Sequence, residues 1–394
     1  MEILLVLVSA LALSFIFSEI ASYFKYPKII GQIIAGVVIG LPFMRTILPL
    51  EGSMDIINLL AELGIVFLML LVGLEADYQK LKSLSKPSTL LATFSMVLSF
   101  VFAAVVTLYF GYGLIVALVV GTALAVSAEP ITAKLLIELN KLKTRAGEIL
   151  IGAGLIDDIL GMFFLSILIL IINEKSAKSI LFFPLEVLSF VVIMFVLFKL
   201  ISRAMVFLQR EPTESFFEVM VILTLAIAYL SEFMGIGIVI GAFVAGLILQ
   251  ISIKDVRLEK KMVSDIKDIA FAFFVPFFFV IVGLNLNLMD IFTNWMLVGV
   301  LLVVAIAGKM LAAYSLKPIF PKVSWKSLTL LGAGMNSRGI FGLVILLIAK
   351  NEGIIPQELF SAIVVISIIT SIMFAVVANH YKTKSAIWAV KGIS

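Results

Sequence analysis

The sequence predicts an all-α polytopic membrane protein of about thirteen transmembrane helices, built as inverted-topology repeats with two broken helices. Three observations predict it. The 394-residue chain is 62% hydrophobic and only 14% charged, where soluble domains carry roughly 25% charged residues. Its mean hydropathy is +1.23, and the apolar surplus comes in blocks of about 20 residues, the length that carries a helix across a bilayer. Basic residues between the blocks alternate between crowded and sparse loops, and glycine-rich motifs of the first half recur in the second.

The apolar segments run over 3–24, 29–41, 57–75, 88–110, 113–139, 146–172, 181–208, 215–233, 236–252, 262–284, 291–316, 325–350 and 356–380. The first reads as a membrane helix rather than a leader, because Glu2 stands where a leader would be basic and no clean cleavage pattern follows. Segments 29–41 and 236–252 are short for a full span, which implies tilt or burial inside a bundle. Loops after odd-numbered segments hold 22 basic residues, from Lys25 to Lys391, and loops after even-numbered ones hold four: Arg45, Lys175, Lys178 and Lys350. The positive-inside rule then places the N-terminus outside and the C-terminus in the cytoplasm.

Several classes are excluded. A β-barrel would show short alternating segments. The chain has no cysteine, so disulfides, thiolate metal sites and thiol redox switches are out. The net charge of +4 is dispersed over short loops and makes no nucleic-acid surface. No phosphate-binding loop, dinucleotide fingerprint, His-Glu-x-x-His or nucleophile elbow is present, so neither an enzyme nor a cofactor is expected.

The repeat shows in two places. Gly31–Leu41 (GQIIAGVVIGL) matches Gly237–Leu247 (GIVIGAFVAGL) at an offset of 206, and Leu71–Glu75 (LVGLE) matches Ile281–Asn285 (IVGLN) at 210. Matching segments are seven apart, an odd number, so the halves are inverted in the membrane, an arrangement typical of secondary transporters. Broken helices are then expected at corresponding places. Segment 113–139 carries Ala-Val-Ser-Ala-Glu-Pro-Ile-Thr (125–132), where Pro130 cannot continue the hydrogen-bond ladder and pushes Glu129 out of helical geometry. Segment 325–350 carries the glycine-rich interruption 332–339, with Asn336 and Arg338. Ser127, Glu129, Pro130, Thr132, Asn336 and Arg338 are the residues expected to support these breaks, with Glu129 and Arg338 pairing across them and Lys134 serving a helix end.

The chemistry concentrates on Asp157 and Asp158, adjacent carboxylates in the middle of segment 146–172. Each costs at least ~2.5 kcal/mol near the bilayer centre, so the pair demands a reason. Gly154, Asp157, Asp158 and Gly161 follow helical spacing and share a face, where a second backbone or a water-filled crevice can approach. The pattern points to a cation or proton site inside the membrane. Lys309, flanked at helical spacing by Ala305, Ala312 and Ala313, faces a partner helix, and one of the aspartates is its expected salt-bridge partner. Glu62 and Glu75 lie nearer the ends of segment 57–75, with Glu75 expected at the interface. Glu186, Glu218 and Glu232 lie near segment ends and are expected in solvent, and the single histidine, His380, at the cytoplasmic edge of the last segment.

Taken together, Gly31-Gln32-Ile33-Ile34-Ala35-Gly36, Leu60-Ala61-Glu62-Leu63-Gly64, Val72-Gly73-Leu74-Glu75, Asp157-Asp158, Pro276 with Val282-Gly283-Leu284, and Lys309 resemble the monovalent cation:proton antiporter-2 family over nearly the whole chain. The resemblance implies a homodimeric Na+ (or Li+) antiporter driven by H+ in the cell membrane, working by an elevator motion and serving pH homeostasis. It implies that Asp158 is the main carrier of Na+ and H+, that Asp157 pairs with Lys309, and that two aspartates plus a lysine accompany electrogenic exchange. The potassium-efflux branch typically has Gln-Asp where this chain has Asp-Asp. Ala128-Glu129-Pro130 is similar to the Thr-Asp-Pro break of the electroneutral sister family, so stoichiometry stays open. A K+/H+ antiporter, and a non-transporting receptor or sensor component on the same fold, are the alternatives. One membrane unit is expected over 1–394: a first repeat over 1–180, a linker helix over 181–210 and a second repeat over 211–394. Residues 57–172, 262–284 and 325–380 are expected to contribute to the core that holds the ion.

Overall fold

The computed structural model describes residues 2–75, 85–127, 132, 136, 144–173, 189–190, 192–203, 213–253, 255–321 and 323–383. Among these residues the structure is helical, with no strand and a single isolated antiparallel bridge between Ser127 and Arg338. Six helices there are long and apolar enough to cross a membrane: Glu2–Tyr23, Met54–Glu75, Lys86–Tyr109, Arg257–Leu284, Trp295–Ile319 and Gln357–Phe374. Four shorter apolar helices join them, Lys28–Gly40, Leu114–Ala125, Ile238–Ser252 and Ile340–Asn351.

We label the main elements α1 (Glu2–Tyr23), α2 (Lys28–Gly40), α3 (Met54–Glu75), α4 (Lys86–Tyr109), α5 (Leu114–Ala125), α6 (Arg145–Asn173), α7 (Thr213–Phe233), α8 (Ile238–Ser252), α9 (Val256–Ile269), α10 (Val275–Leu284), α11 (Trp295–Tyr314), α12 (Trp325–Met335), α13 (Ile340–Asn351) and α14 (Gln357–Thr383). Two compact units divide the chain. The first comprises Met1–Phe15, Gln32–Asp77 and Ser166–Leu284; the second comprises Ile16–Gly31, Tyr78–Leu165 and Asn285–Ser394.

In the first unit α3 packs on both α8 and α10. The crossings are tight because glycine stands at each. A Cβ on Gly36 would lie 2.1 Å from the Val280 carbonyl oxygen and 2.9 Å from the Gly283 Cα. A Cβ on Gly246 would lie 2.4 Å from the Leu70 carbonyl oxygen and 2.8 Å from the Gly73 Cα. These crossings are images of one another: Gly36 and Gly246, Gly73 and Gly283, and Leu70 and Val280 each differ by 210 positions. Exchange of partners at constant offset is what a twofold relation between repeats produces. The structure corrects the register read from sequence for 31–41, moving the offset from 206 to 210, about one helical turn. Glycines spaced four or five apart match almost equally well at either offset, and only the backbone contact separates them.

Pro276 has no N–H to give, and the turn before it is a π-helix, Ala270–Phe274, in which the Val275 N–H donates to the Ala270 carbonyl. At one end of α3 Glu75 pairs with Lys267 at 3.3 Å, and Glu232 accepts the Ile238 N–H at 2.7 Å, capping α8. Both carboxylates stand at helix ends.

In the second unit α11 packs against α4 and α12. Leu91 and Ala92 of α4, Leu150 and Ala153 of α6, Ala313 of α11, Leu331 and Met335 of α12 and Phe374 of α14 form one buried apolar cluster. Small residues let the backbones close: a Cβ on Gly308 would sit 2.9 Å from the Ser99 Cα. Polar contacts fasten the turns at one end. Gln357 Nε2 donates to the Asn285 carbonyl at 2.6 Å, the Asn287 N–H donates to Ser361 Oγ at 3.0 Å, and Tyr112 donates to Glu358 Oε1 at 3.2 Å. Residues 57–75 and 262–284 lie in the first unit, whereas Asp157, Asp158, Lys309 and 336–338 lie in the second.

Candidate functional site

Two helix interruptions meet in the second unit. Helix α5 ends at Ala125, and Val126 continues in extended conformation (φ −77°, ψ 136°) into Ser127. Helix α12 ends at Met335, Asn336–Gly339 is non-helical, and α13 resumes at Ile340. The first half of the predicted glycine-rich interruption, 332–335, is the last turn of α12. The breaks pair through the backbone bridge between Ser127 and Arg338. Thr132 adds a second tie, its hydroxyl donating to the Gly334 carbonyl at 3.1 Å. Glu129, Pro130 and Lys134 lie outside the described residues, as does Glu186, so the Glu129–Arg338 pairing lies outside them too.

Asp157 of α6 is fully buried. Its Oδ2 accepts the Ser127 N–H at 2.5 Å, a backbone donor that the end of α5 leaves without a helical partner. Gly161, one turn further along α6, brings this helix against the break, since a Cβ there would lie 3.0 Å from both Val126 methyls. Asp158 is only half-buried. Adjacent carboxylates on one helix thus occupy different surroundings, one fully enclosed and one partly exposed.

Lys309 is fully buried as well, on the face of α11 that also buries Ala305, Gly308, Ala312 and Ala313. Its Nζ donates to the Ala125 carbonyl and to Ser127 Oγ, the latter at 2.9 Å, and lies 3.8 Å from Asp157 Oδ1. The ammonium caps the C-terminal end of α5, where carbonyls and the negative end of the helix dipole favour a cation. At 3.8 Å the lysine and Asp157 attract without a hydrogen bond, and Asp157 Oδ1 has no hydrogen-bond partner. The pair is cohesive and not saturated.

The second break holds the other polar groups. Asn336 is fully buried, and its amide donates to the carbonyls of Gly332 at 3.0 Å and Ile306 at 3.4 Å, capping α12 and touching α11. Arg338, only 4% exposed, donates from Nη2 to the Ala305 carbonyl at 2.9 Å, one turn from Lys309. Ser337 is buried between them; it stands inside the motif read from sequence, but an isolated serine carries no signal that distinguishes it. No group of three or more His, Cys, Asp or Glu side chains that could hold a resident metal occurs among the described residues. An ion taken here would be cargo, met by one or two carboxylates and backbone.

Comparison with known proteins agrees with this architecture. The family model described as "Sodium/hydrogen exchanger, transmembrane" matches residues 6–380. A Na+/H+ antiporter of Enterococcus hirae is 27% identical over 388 residues, 98% of this chain and 99% of that one. A Na+/H+-K+ antiporter of Bacillus cereus, GerN, is 29% identical over 348 residues, 88% of each chain. The solved structure of the sodium proton antiporter MjNhaP1 from Methanocaldococcus jannaschii shares the fold, with a TM-score of 0.72 at 18% identity and 99% of both chains covered. With a family match across nearly its full length, the chain belongs to the sodium/hydrogen exchanger family.

Proposed function

We propose that the chain is a secondary active antiporter of the monovalent cation:proton antiporter-2 type, exchanging Na+ or Li+ for H+ across the cell membrane. Asp158 is the principal carrier, because it is the carboxylate with an open side. Asp157 is held by Lys309 and the Ser127 N–H until the cation arrives. Proton and cation compete for the same oxygens, so the loaded states exclude one another and exchange is coupled. The two carboxylates titrate as one interacting unit. Transport proceeds by an elevator-type motion in a homodimer with the N-terminus outside and the C-terminus in the cytoplasm. Repeats over 1–180 and 211–394 joined by the 181–210 linker supply the two access states. The exchange is electrogenic and serves pH homeostasis.

The observation that carries this reading is the fully buried Asp157–Lys309 pair at the meeting of two broken helices, with Asp158 half-open beside it. Such expense inside apolar surroundings supports a working ion site over a structural one. The first test is exchange in proteoliposomes under an imposed pH gradient, with Na+, Li+ and K+ added in turn, with and without a clamped membrane potential. Saturable collapse of the gradient by Na+ and Li+, altered by the clamp, is expected. Ohmic current would indicate a channel, and no response to any cation a receptor. The K+ in the name of the GerN relative, a Na+/H+-K+ antiporter, supports a second reading, K+/H+ exchange, for which K+ would collapse the gradient at least as well as Na+.

A further inference from the structure

Arg338 is the buried charge that the exchange scheme above does not use. It is 4% exposed, and among the described residues its guanidinium is engaged only through Nη2, on the Ala305 carbonyl, while Nε and Nη1 are buried with no hydrogen-bond partner. A buried charged donor left without a partner is costly, so this residue is kept against a standing penalty. Its position relates it to the ion site in two ways. Its backbone pairs with Ser127, whose N–H holds Asp157 and whose hydroxyl holds Lys309. Its side chain docks on the turn of α11 that precedes Lys309. Arg338 and Lys309 both interact electrostatically with Asp157, whose Oδ1 accepts a hydrogen bond from neither.

The two cations differ in kind. A lysine ammonium can move on a flexible stem or give up its proton, whereas a guanidinium keeps its charge at any working pH. The charged groups of this locality are Asp157 and Asp158 on α6, Lys309 on α11 and Arg338 in the second break; no charged side chain on α4 or α5 faces them among the described residues. Among the described residues, two negative and two positive groups balance one another before any ion enters. Every ion that binds therefore enters against the repulsion of Arg338, even after Lys309 has yielded.

We propose that Arg338 is the fixed counter-charge that sets how tightly the Asp157–Asp158 site holds its cation, keeping retention weak enough for release. It is a positioning and affinity-setting residue, and it touches no cargo. This inference rests on the reading of Asp157 and Asp158 as the transport site.

The test measures Na+ binding from neutral to alkaline pH, where protons compete least, together with turnover in proteoliposomes, on the full chain with Arg338→Gln and Arg338→Lys. Arg338→Gln is expected to bind Na+ about tenfold more tightly and to turn over more slowly, because one opposing charge is gone. Arg338→Lys keeps the charge only while its buried ammonium holds its proton, so it is expected to bind within about twofold of the original affinity at neutral pH and to tighten more than the parent as pH rises. A role limited to packing would lower the melting temperature and turnover without tightening Na+ binding; unchanged or weaker binding in folded Arg338→Gln overturns the proposal. If Arg338→Gln does not fold, Arg338→Lys decides: an affinity changed about tenfold or more at neutral pH, or one that tightens no more than the parent's as pH rises, overturns it. Absence of cation binding in the unsubstituted protein would instead refute the transport reading itself.

Discussion

Asp157 and Asp158 are neighbours in sequence and unlike in surroundings. The buried one accepts a backbone N–H and faces an ammonium; the other keeps an open side. Removing one partner of a buried pair strands the other, at a cost of about 3–5 kcal/mol. Lys309→Ala is therefore expected to lower the melting temperature markedly and to change the charge moved per transport cycle, both measurable on purified protein and in voltage-clamped vesicles. Exchanging the whole pair, Asp157→Asn with Lys309→Met, is expected to recover most of the thermal stability while exchange stays impaired. If the double variant melts as low as the single one, the lysine serves packing rather than charge balance. Outside the membrane-spanning segments, burial and then the Glu358 carboxylate push the Tyr112 phenol up from 10.0 to about 12. A raised folded value means that its contribution is complete below the unfolded value of 10.0 and is lost only as pH climbs through about 12. Tyr112→Phe should accordingly cost about 0.5–1.5 kcal/mol, by the same amount at pH 6 and at pH 8.

At the scale of elements, the described helices and the points where α5 and α12 end were legible in the sequence, because apolar length and interruption are local properties; half of 181–208 lies outside the described residues. The crowded and sparse loops marked segment ends, and the polar residues at 125–132 and 332–339 marked the interruptions. What was not legible was contact. Ala125 offers only a carbonyl and Ser127 only an N–H to Lys309 and Asp157 beyond its hydroxyl, and backbone groups have no sequence signature. The register of the first glycine motif slipped by four residues for the same reason. The crossing itself makes a prediction. Gly36→Leu forces a side chain into the Val280 carbonyl, a backbone atom that no rotamer change can move aside, and should cost about 3 kcal/mol or more in stability. Gly246→Leu, its repeat counterpart, should behave alike. Gly52→Ala has nothing within 4 Å of the added carbon and should stay within about 0.5 kcal/mol of the parent. Thermal melts in detergent separate these cases, and tolerance of both leucines would argue against the paired crossings.

For the whole molecule, each unit has a distinct chemical character. The first is joined by glycine-mediated crossings and short polar ties at helix ends, with no charge buried in its interior among the described residues. The second buries Asp157, Lys309 and Arg338 together at its two breaks. Among the described residues the expense of burying charge is thus confined to one place. The measurement that tests this most directly is cation-driven collapse of a pH gradient in proteoliposomes containing Asp158→Asn, beside the unsubstituted protein. Loss of Na+- and Li+-dependent exchange in a variant that still folds and melts normally is the predicted result. Sustained exchange by that variant, saturable and cation-dependent, would contradict the assignment of the site.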